Sequence, residues 1–326
     1  MNKNINNLKM SFYKCVSAAL LSMFFSVVYA NNLETKEFID NLQKSAKTKN
    51  YKANVIVQKQ KDNNFNSKMF AVIHYYDGQS EFEKITPLEG KMRNVLRINQ
   101  MVQAYLDEKK IIISTKRDDA NFPFLTNNST QVASLYTMKK LANERILGKN
   151  TQVVILEPKD KYRYEYKLWL HDGLLLKSQT IFTGKILEQI VFSDIQDISL
   201  NKNEIQEWMH EGENWQYKLP RLQEFDIDKL NWKIPKKFKG YEYIKSKHRI
   251  NTTNEKPPMY QIIYSDGLGS VSIFIEEGSK HIRESNQGNN YLASKQMGKY
   301  TVTAVGEAPP VLLEELLEVI DIDIKK

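Results

Sequence analysis

Hydrophobic and polar positions change period several times along the chain, and each change marks an element. Phe38, Ile39, Leu42 and Ala46 recur at helical spacing behind Glu34, Glu37 and Asp40, which predicts an amphipathic helix over 33–48. The period then drops to two. YKANVIVQK (51–59) and KMFAVIHYY (68–76) read as strands, Asp77-Gly78 as a hairpin turn, and SEFEKITP, VLRINQ, MVQAYLD and KKIIIST continue the alternation to residue 115. QVASLYTMKKLANERIL (131–147) reads as a helix stopped by Gly148. TQVVILEP (151–158), YRYEYKLWL (162–170), LLLKSQTIF (174–182) and ILEQIVFS (186–193) follow, separated by tight turn signals, which predicts an antiparallel meander. Residues 200–230 lose the pattern and carry the isolated Trp208 and Trp215, as expected of an ordered interdomain linker. Strand-like runs at 240–248, 259–265, 270–276, 291–296 and 299–305 then predict a smaller β unit. A last helix enters at Pro309-Pro310, with Leu313, Leu316, Leu317 and Ile320 as its apolar stripe.

The start of the chain has a different pattern. Lys3, Lys9 and Lys14 are the only charges before residue 34, an apolar run extends from Cys15 to Tyr29, and Val28-Tyr29-Ala30 places small residues where a signal peptidase reads. The run is shorter than the roughly twenty residues a membrane-spanning helix needs. The expected organisation is a signal peptide at 1–30, a β domain at 31–199, a linker at 200–230 and a second domain at 231–326. Both folded parts are mainly β with helices, an α+β arrangement of antiparallel sheets.

Composition narrows the function. The 326 residues are 41% hydrophobic and 11% aromatic, enough for a packed core, and the formal net charge is +8. Cys15 is the only cysteine, which excludes a disulfide scaffold and cysteine-based zinc sites. The histidines at 74, 171, 210, 248 and 281 are too far apart for a short metal-ligand pair, and no nucleophile elbow, P-loop or dinucleotide fingerprint occurs. No catalytic residue, metal or cofactor is therefore assigned, and nucleic acid is a poor partner for an exported chain.

Two segments stand out as candidate binding elements. The stretch 233–249 has seven basic residues (Lys233, Lys236, Lys237, Lys239, Lys245, Lys247 and Arg249) and one acid, Glu242. It reads either as a solvated basic face or as a site for an acidic partner or lipid phosphate. Alternation in 162–170 puts Tyr162, Tyr164 and Tyr166 with Leu168 and Leu170 on one face, and Arg163, Glu165, Lys167 and Trp169 on the other. That apolar face either packs on a core or lines a lipid cavity under a curved sheet. NFPFLTNN (121–128), with Phe122 and Phe124, reads as a flap over such a cavity. Asn128-Ser129-Thr130 and Asn251-Thr252-Thr253 match the glycosylation pattern, which has meaning only in a eukaryotic secretory pathway.

Taken in order, several segments resemble the RseB/MucB family of bacterial periplasmic regulators. They are YEYKLWLHDGLLLKSQTIFTGKILEQIVFSDI (164–195), YSDGLGSVSIFIE (264–276) and TAVGEAPP (303–310), with NNSTQVASL (127–135) as a further likeness. The resemblance implies an N-terminal unclosed β-barrel like that of the lipoprotein carriers LolA and LolB, and a smaller C-terminal antiparallel sheet with a terminal helix. It implies binding to the periplasmic domain of a transmembrane anti-sigma factor of the RseA/MucA type. That binding shields the anti-sigma factor from a site-1 protease and restrains the envelope-stress sigma factor (sigma-E/AlgU). It further implies release on sensing lipopolysaccharide (lipid A) or mislocalised lipoprotein acyl chains, and leaves room for a homo-oligomer. The basic stretch 233–249 departs from the family expectation. Two domains on a polar linker would provide the two-state element that such release requires. A LolA-type lipid or lipoprotein carrier is the alternative, and an exported hydrolase the third reading.

Overall fold

The computed structural model describes residues 31–62, 64–116, 128–200, 202–219, 222–249, 258–278 and 285–322. The expected signal segment, the flap residues Phe122 and Phe124, His281 and the Asn251 pattern lie outside them. Helix α1 covers 31–48. The strands that follow are β1 (Tyr51–Lys61), β2 (Asn64–Tyr76), β3 (Glu81–Pro87), β4 (Val95–Ile98), β5 (Met101–Leu106) and β6 (Ile111–Lys116). After α2 (Ser129–Leu135) come β7 (Tyr136–Ile146), β8 (Lys149–Pro158), β9 (Glu165–His171), β10 (Leu174–Phe182) and β11 (Lys185–Asp197). Helix α3 (Lys202–His210) and β12 (Gln216–Lys218) complete the first unit. These strands form one unclosed sheet in the order β12-β6-β5-β4-β3-β2-β1-β11-β10-β9-β8-β7.

Register divides this sheet into two faces, because directly paired residues point the same way. On the inner face Tyr51, Ala53 and Val55 of β1 stand beside His74, Val72 and Phe70 of β2, and Val154 and Leu156 of β8 beside Leu168 and Tyr166 of β9. Helix α1 buries Ile39 and Leu42 among Leu156, Tyr166 and Leu168. Each such side chain contributes about 1.5–3 kcal/mol on full burial, so packing rather than intrinsic propensity holds the helix. Where β10, β11 and β1 meet, the outer face carries polar side chains instead. Gln179 Nε2 donates to Gln189 Oε1 at 2.6 Å, and Gln189 Nε2 to Gln58 Oε1 at 2.8 Å, across three adjacent strands.

A charged cluster interrupts the inner face. Glu81 Oε1 accepts from Arg97 Nη2 at 2.6 Å and lies 2.9 Å from His74 Nε2, while His74 Nδ1 lies 2.7 Å from the Lys49 carbonyl at the end of α1. His74 also stacks on Tyr51 at 5.4 Å. Burial opposes the charge on Glu81, but the hydrogen bonds from His74 and Arg97 outweigh it and hold the carboxyl down at about 2. Glu83, with a looser 3.5 Å contact to Arg97, is pushed up by burial.

The second unit comprises β13 (Leu222–Glu224), β14 (Lys237–Phe238), β15 (Tyr241–Arg249), β16 (Met259–Ser265), β17 (Ser270–Glu277), β18 (Ser285–Gln287), β19 (Asn290–Met297), β20 (Tyr300–Gly306) and α4 (Pro310–Val319). Its sheet runs β13-β15-β16-β17-β20-β19-β18, with β14 added to β15. Leu312, Leu313, Leu316 and Leu317 of α4 pack on Ile262, Tyr264, Ile273 and Val302. The expected stripe of the last helix lies in this core.

Three expectations change. The helix expected over 131–147 ends at Leu135, and 136–146 is strand β7. The lysines and Leu-Ala-Asn-Glu-Arg favour a helix locally, but β8 needs a partner, Tyr136 and Met138 take buried inner-face positions, and Leu147-Gly148, both at positive φ, make a tight hairpin turn. The strand expected from residue 162 begins at Glu165. The stretch read as a linker from 200 is fastened to the first sheet as far as Lys218. Trp208 and Trp215 pack on Leu96, Tyr105 and Ile112 of the outer face, and β12 pairs in parallel with β6.

A carboxyl held below its ordinary 4.5 contributes stability that is present above pH 4.5 and is lost as pH falls through its folded value. For Glu81 the displacement corresponds to about 3 kcal/mol. Glu81→Gln is therefore expected to lower stability at pH 7 and to flatten the decline between about pH 5 and pH 2, read from urea unfolding across that range.

Candidate functional site at the interdomain joint

Helix α2 is short but strongly anchored. Asn128 caps it by accepting from Gln131 N at 3.0 Å, and the Lys159 ammonium donates to the Ala133 and Ser134 carbonyls at 3.0 and 3.1 Å. The helix thereby presents Gln131 to the second unit, where its Nε2 donates to the Gly240 and Ser265 carbonyls at 3.0 and 3.1 Å.

Beside it lies a buried ion pair. Arg163 and Asp266 come from different units and their side chains are both 0% exposed, with Arg163 Nε 3.2 Å from Asp266 Oδ2. The rest of the guanidinium is held by Asp160 and by the Lys239 carbonyl, and it lies over the Tyr241 ring at 5.5 Å. Asp266 accepts from Gly269 N at 2.7 Å, Leu268 N at 2.9 Å and the Tyr136 hydroxyl at 2.9 Å. Burial pushes its carboxyl upward, opposed by those backbone N–H groups, by Arg163 and by Tyr136. Gly240 sits at φ +83°, and a Cβ there would collide with Arg163 Nη2. Tyr164 donates to the Ala308 carbonyl at 2.7 Å, joining β9 to the entry of α4.

A second contact lies across the sheet. Gly288 N donates to the Gln60 carbonyl at 2.7 Å, and Asn289 Nδ2 to Glu188 Oε1 at 3.2 Å, while Lys59 pairs with Glu188 at 2.6 Å. From β9 to β1 through β10 and β11 is three strand spacings, about 14 Å. The second unit is thus seated at two places along the ends of four adjacent strands.

The candidate residues fall into separate places. Lys233 forms an isolated backbone bridge with Asp321; Lys236 pairs with Asp228 at 2.5 Å, Lys237 with Glu242 at 2.7 Å, and Lys239 with Glu315 at 3.8 Å. The Asp228 carboxylate holds the Lys236 ammonium above its ordinary value. Lys245, Lys247 and Arg249 continue along β15, where Arg249 reaches the Met259 sulfur. Tyr164 and Tyr166 are core residues beneath α1. Tyr162 is parted from them: it packs on the core of the second unit, with Lys161 and Lys239 over its ring at 5.1 and 4.9 Å. A cavity of 260 Å³ opens at the margin of α1 between Phe38, Leu42, Met138 and Leu170, with Glu34, Glu37 and Lys140 at its rim.

Arg163 was legible in the sequence only as the polar face of a strand, and Asp266 only within the segment 264–276 that carries the family resemblance. The segments that carry the family resemblance nevertheless converge here: Gln131, Tyr164, Asp266 and Ala308 each come from a different one. Removing one member of a buried pair costs about 3–5 kcal/mol. The arrangement therefore penalises any orientation of the two units that leaves one of these charges buried alone. Among the described residues no group of three or more His, Cys, Asp or Glu is placed to hold a metal ion.

Residues 34–209 match the MucB/RseB N-terminal domain and residues 226–321 the MucB/RseB C-terminal domain. The chain is 22% identical over 312 residues to the Sigma-E factor regulatory protein RseB of Haemophilus influenzae, covering 91% of this chain and 94% of that protein. It is 24% identical over 237 residues to the Sigma factor AlgU regulatory protein MucB of Pseudomonas aeruginosa, covering 70% and 72%. A solved structure of the Pseudomonas aeruginosa MucA/MucB complex shares the fold with a TM-score of 0.66 at 20% identity, over 89% of this chain and 99% of that one. With both domain types matched in order, this chain is a member of the MucB/RseB family.

Proposed function

We infer that this chain is a periplasmic, non-enzymatic regulator that binds the periplasmic domain of a transmembrane anti-sigma factor. The observation that carries the reading is the pair of family domains in order, with a fold shared over nearly the full length with MucB in its complex with MucA. By covering the anti-sigma factor the protein shields it from site-1 proteolysis and restrains the envelope-stress sigma factor. Lipopolysaccharide or mislocalised lipoprotein relieves the restraint by favouring a state that holds the partner less well. The export signal read at 1–30 supports the location, and among the described residues no helix is long and apolar enough to cross a membrane. The side chains of α1 that cover the inner face over β7 to β10 favour a regulator over a carrier, which needs that space for its cargo.

Titration calorimetry with the periplasmic domain of the anti-sigma factor from the same organism is expected to give a dissociation constant of about micromolar or below. Added regulator is expected to slow cleavage of that domain by a site-1 protease in proportion to occupancy. Absence of binding removes the reading.

Replacing Lys236, Lys237 and Lys239 together by Gln is expected to weaken binding to lipopolysaccharide several-fold at low salt. The difference should shrink as salt screens the lost charges. Unchanged affinity at low salt assigns these lysines to their ion pairs with Asp228, Glu242 and Glu315 alone.

A further inference from the structure

We propose that Arg163 and Asp266 form an interdomain latch, with Arg163 the positioning residue that keeps the two units in the one orientation able to hold the partner. This deepens the anti-sigma reading and rests on it for the partner, though not for the latch. The pair is sealed from water on both sides, each side chain being 0% exposed. Asp266 is braced by three further donors, and the guanidinium by Asp160 and the Lys239 carbonyl. Partial opening offers no intermediate gain, because a small separation loses the short-range contact before water can enter to replace it. The joint therefore has two arrangements, closed or fully parted, rather than a continuum.

The second contact restricts the units further. A unit held at one point can rotate freely about it; one held also through Gly288 and Asn289, three strands away, keeps only rotation about the line joining the two contacts unless one of them breaks. The stretch following β11 gives no slack either, since α3 and β12 bind it to the first sheet. The ordered linker expected over 200–230 is bound to the first sheet as far as Lys218, and the release point between the units is the buried pair. Any signal acting through domain movement must break the latch.

The experiment uses the full chain with Cys15→Ser and spin labels at Glu108→Cys and Lys299→Cys, one on each unit. Wild type is expected to give a single narrow distance by double electron–electron resonance. Arg163→Met leaves Asp266 buried without its partner and is expected to broaden that distance and weaken anti-sigma binding by about tenfold or more. Asp266→Asn is the milder second variant, able to keep the Tyr136 contact, should Arg163→Met not fold. The double variant Arg163→Met/Asp266→Asn, with neither charge left alone, is expected to regain stability to urea but to keep the broad distance and the weakened affinity, because the latch is still absent; a general loss of folding would move all three together. A narrow distance in both single variants overturns the latch. A broadened distance with unchanged affinity overturns the positioning role. If wild type shows the narrow distance but no anti-sigma binding, the proposed function fails while the distance measurements still decide the latch.

Discussion

The architecture depends on placing one full charge from each sheet where no water reaches. An isolated buried ion is so costly that the protein would neutralise or expose it. Arg163 keeps Asp160 within its own unit, but Asp266 meets the Arg163 cation only while both units are correctly seated. This makes the pair a poor source of raw stability but a strict test of orientation. The surrounding contacts share that character, since the Gln131 amide and the Tyr164 hydroxyl meet backbone carbonyls of the second unit at fixed positions.

The first unit has a related problem. A twelve-stranded sheet that does not close leaves one broad apolar face, and α1 covers the part formed by β7 to β10. Towards the other edge the inner face turns polar, with His74, Glu81, Glu83 and Arg97 forming their own network. There the apolar packing moves to the outer face, where α3 supplies Trp208. One sheet is thus held by helices on opposite faces at opposite ends. The chain that leaves for the second unit does so from a strand already bound to β6.

Much of this was legible from pattern alone. The first helix, the meander from β8 to β11 and the last helix follow from period and turn residues, because their local preferences and their tertiary positions agree. The helix misread over 131–147 shows where that agreement fails: the propensity of Lys-Lys-Leu-Ala-Asn-Glu-Arg was real, but pairing with β8 outweighed it. Tyr162 shows a second failure. Alternation grouped it with Tyr164 and Tyr166, yet the strand begins after it, and its ring lies against the other unit. The flap residues Phe122 and Phe124 belong to the same cavity reading and lie outside the described residues.

The amino-acid order by itself determined the fold class, the two β units and the family, because periodicity and short turn-forming segments are local properties. The joint was decided only in three dimensions. Arg163 and Asp266 are 103 residues apart, about a third of the chain, and each looks like an ordinary surface residue where it stands. Their charges become a constraint only once the ends of β9 to β1 and the turn after β16 are brought together and dried, and no periodicity records that event.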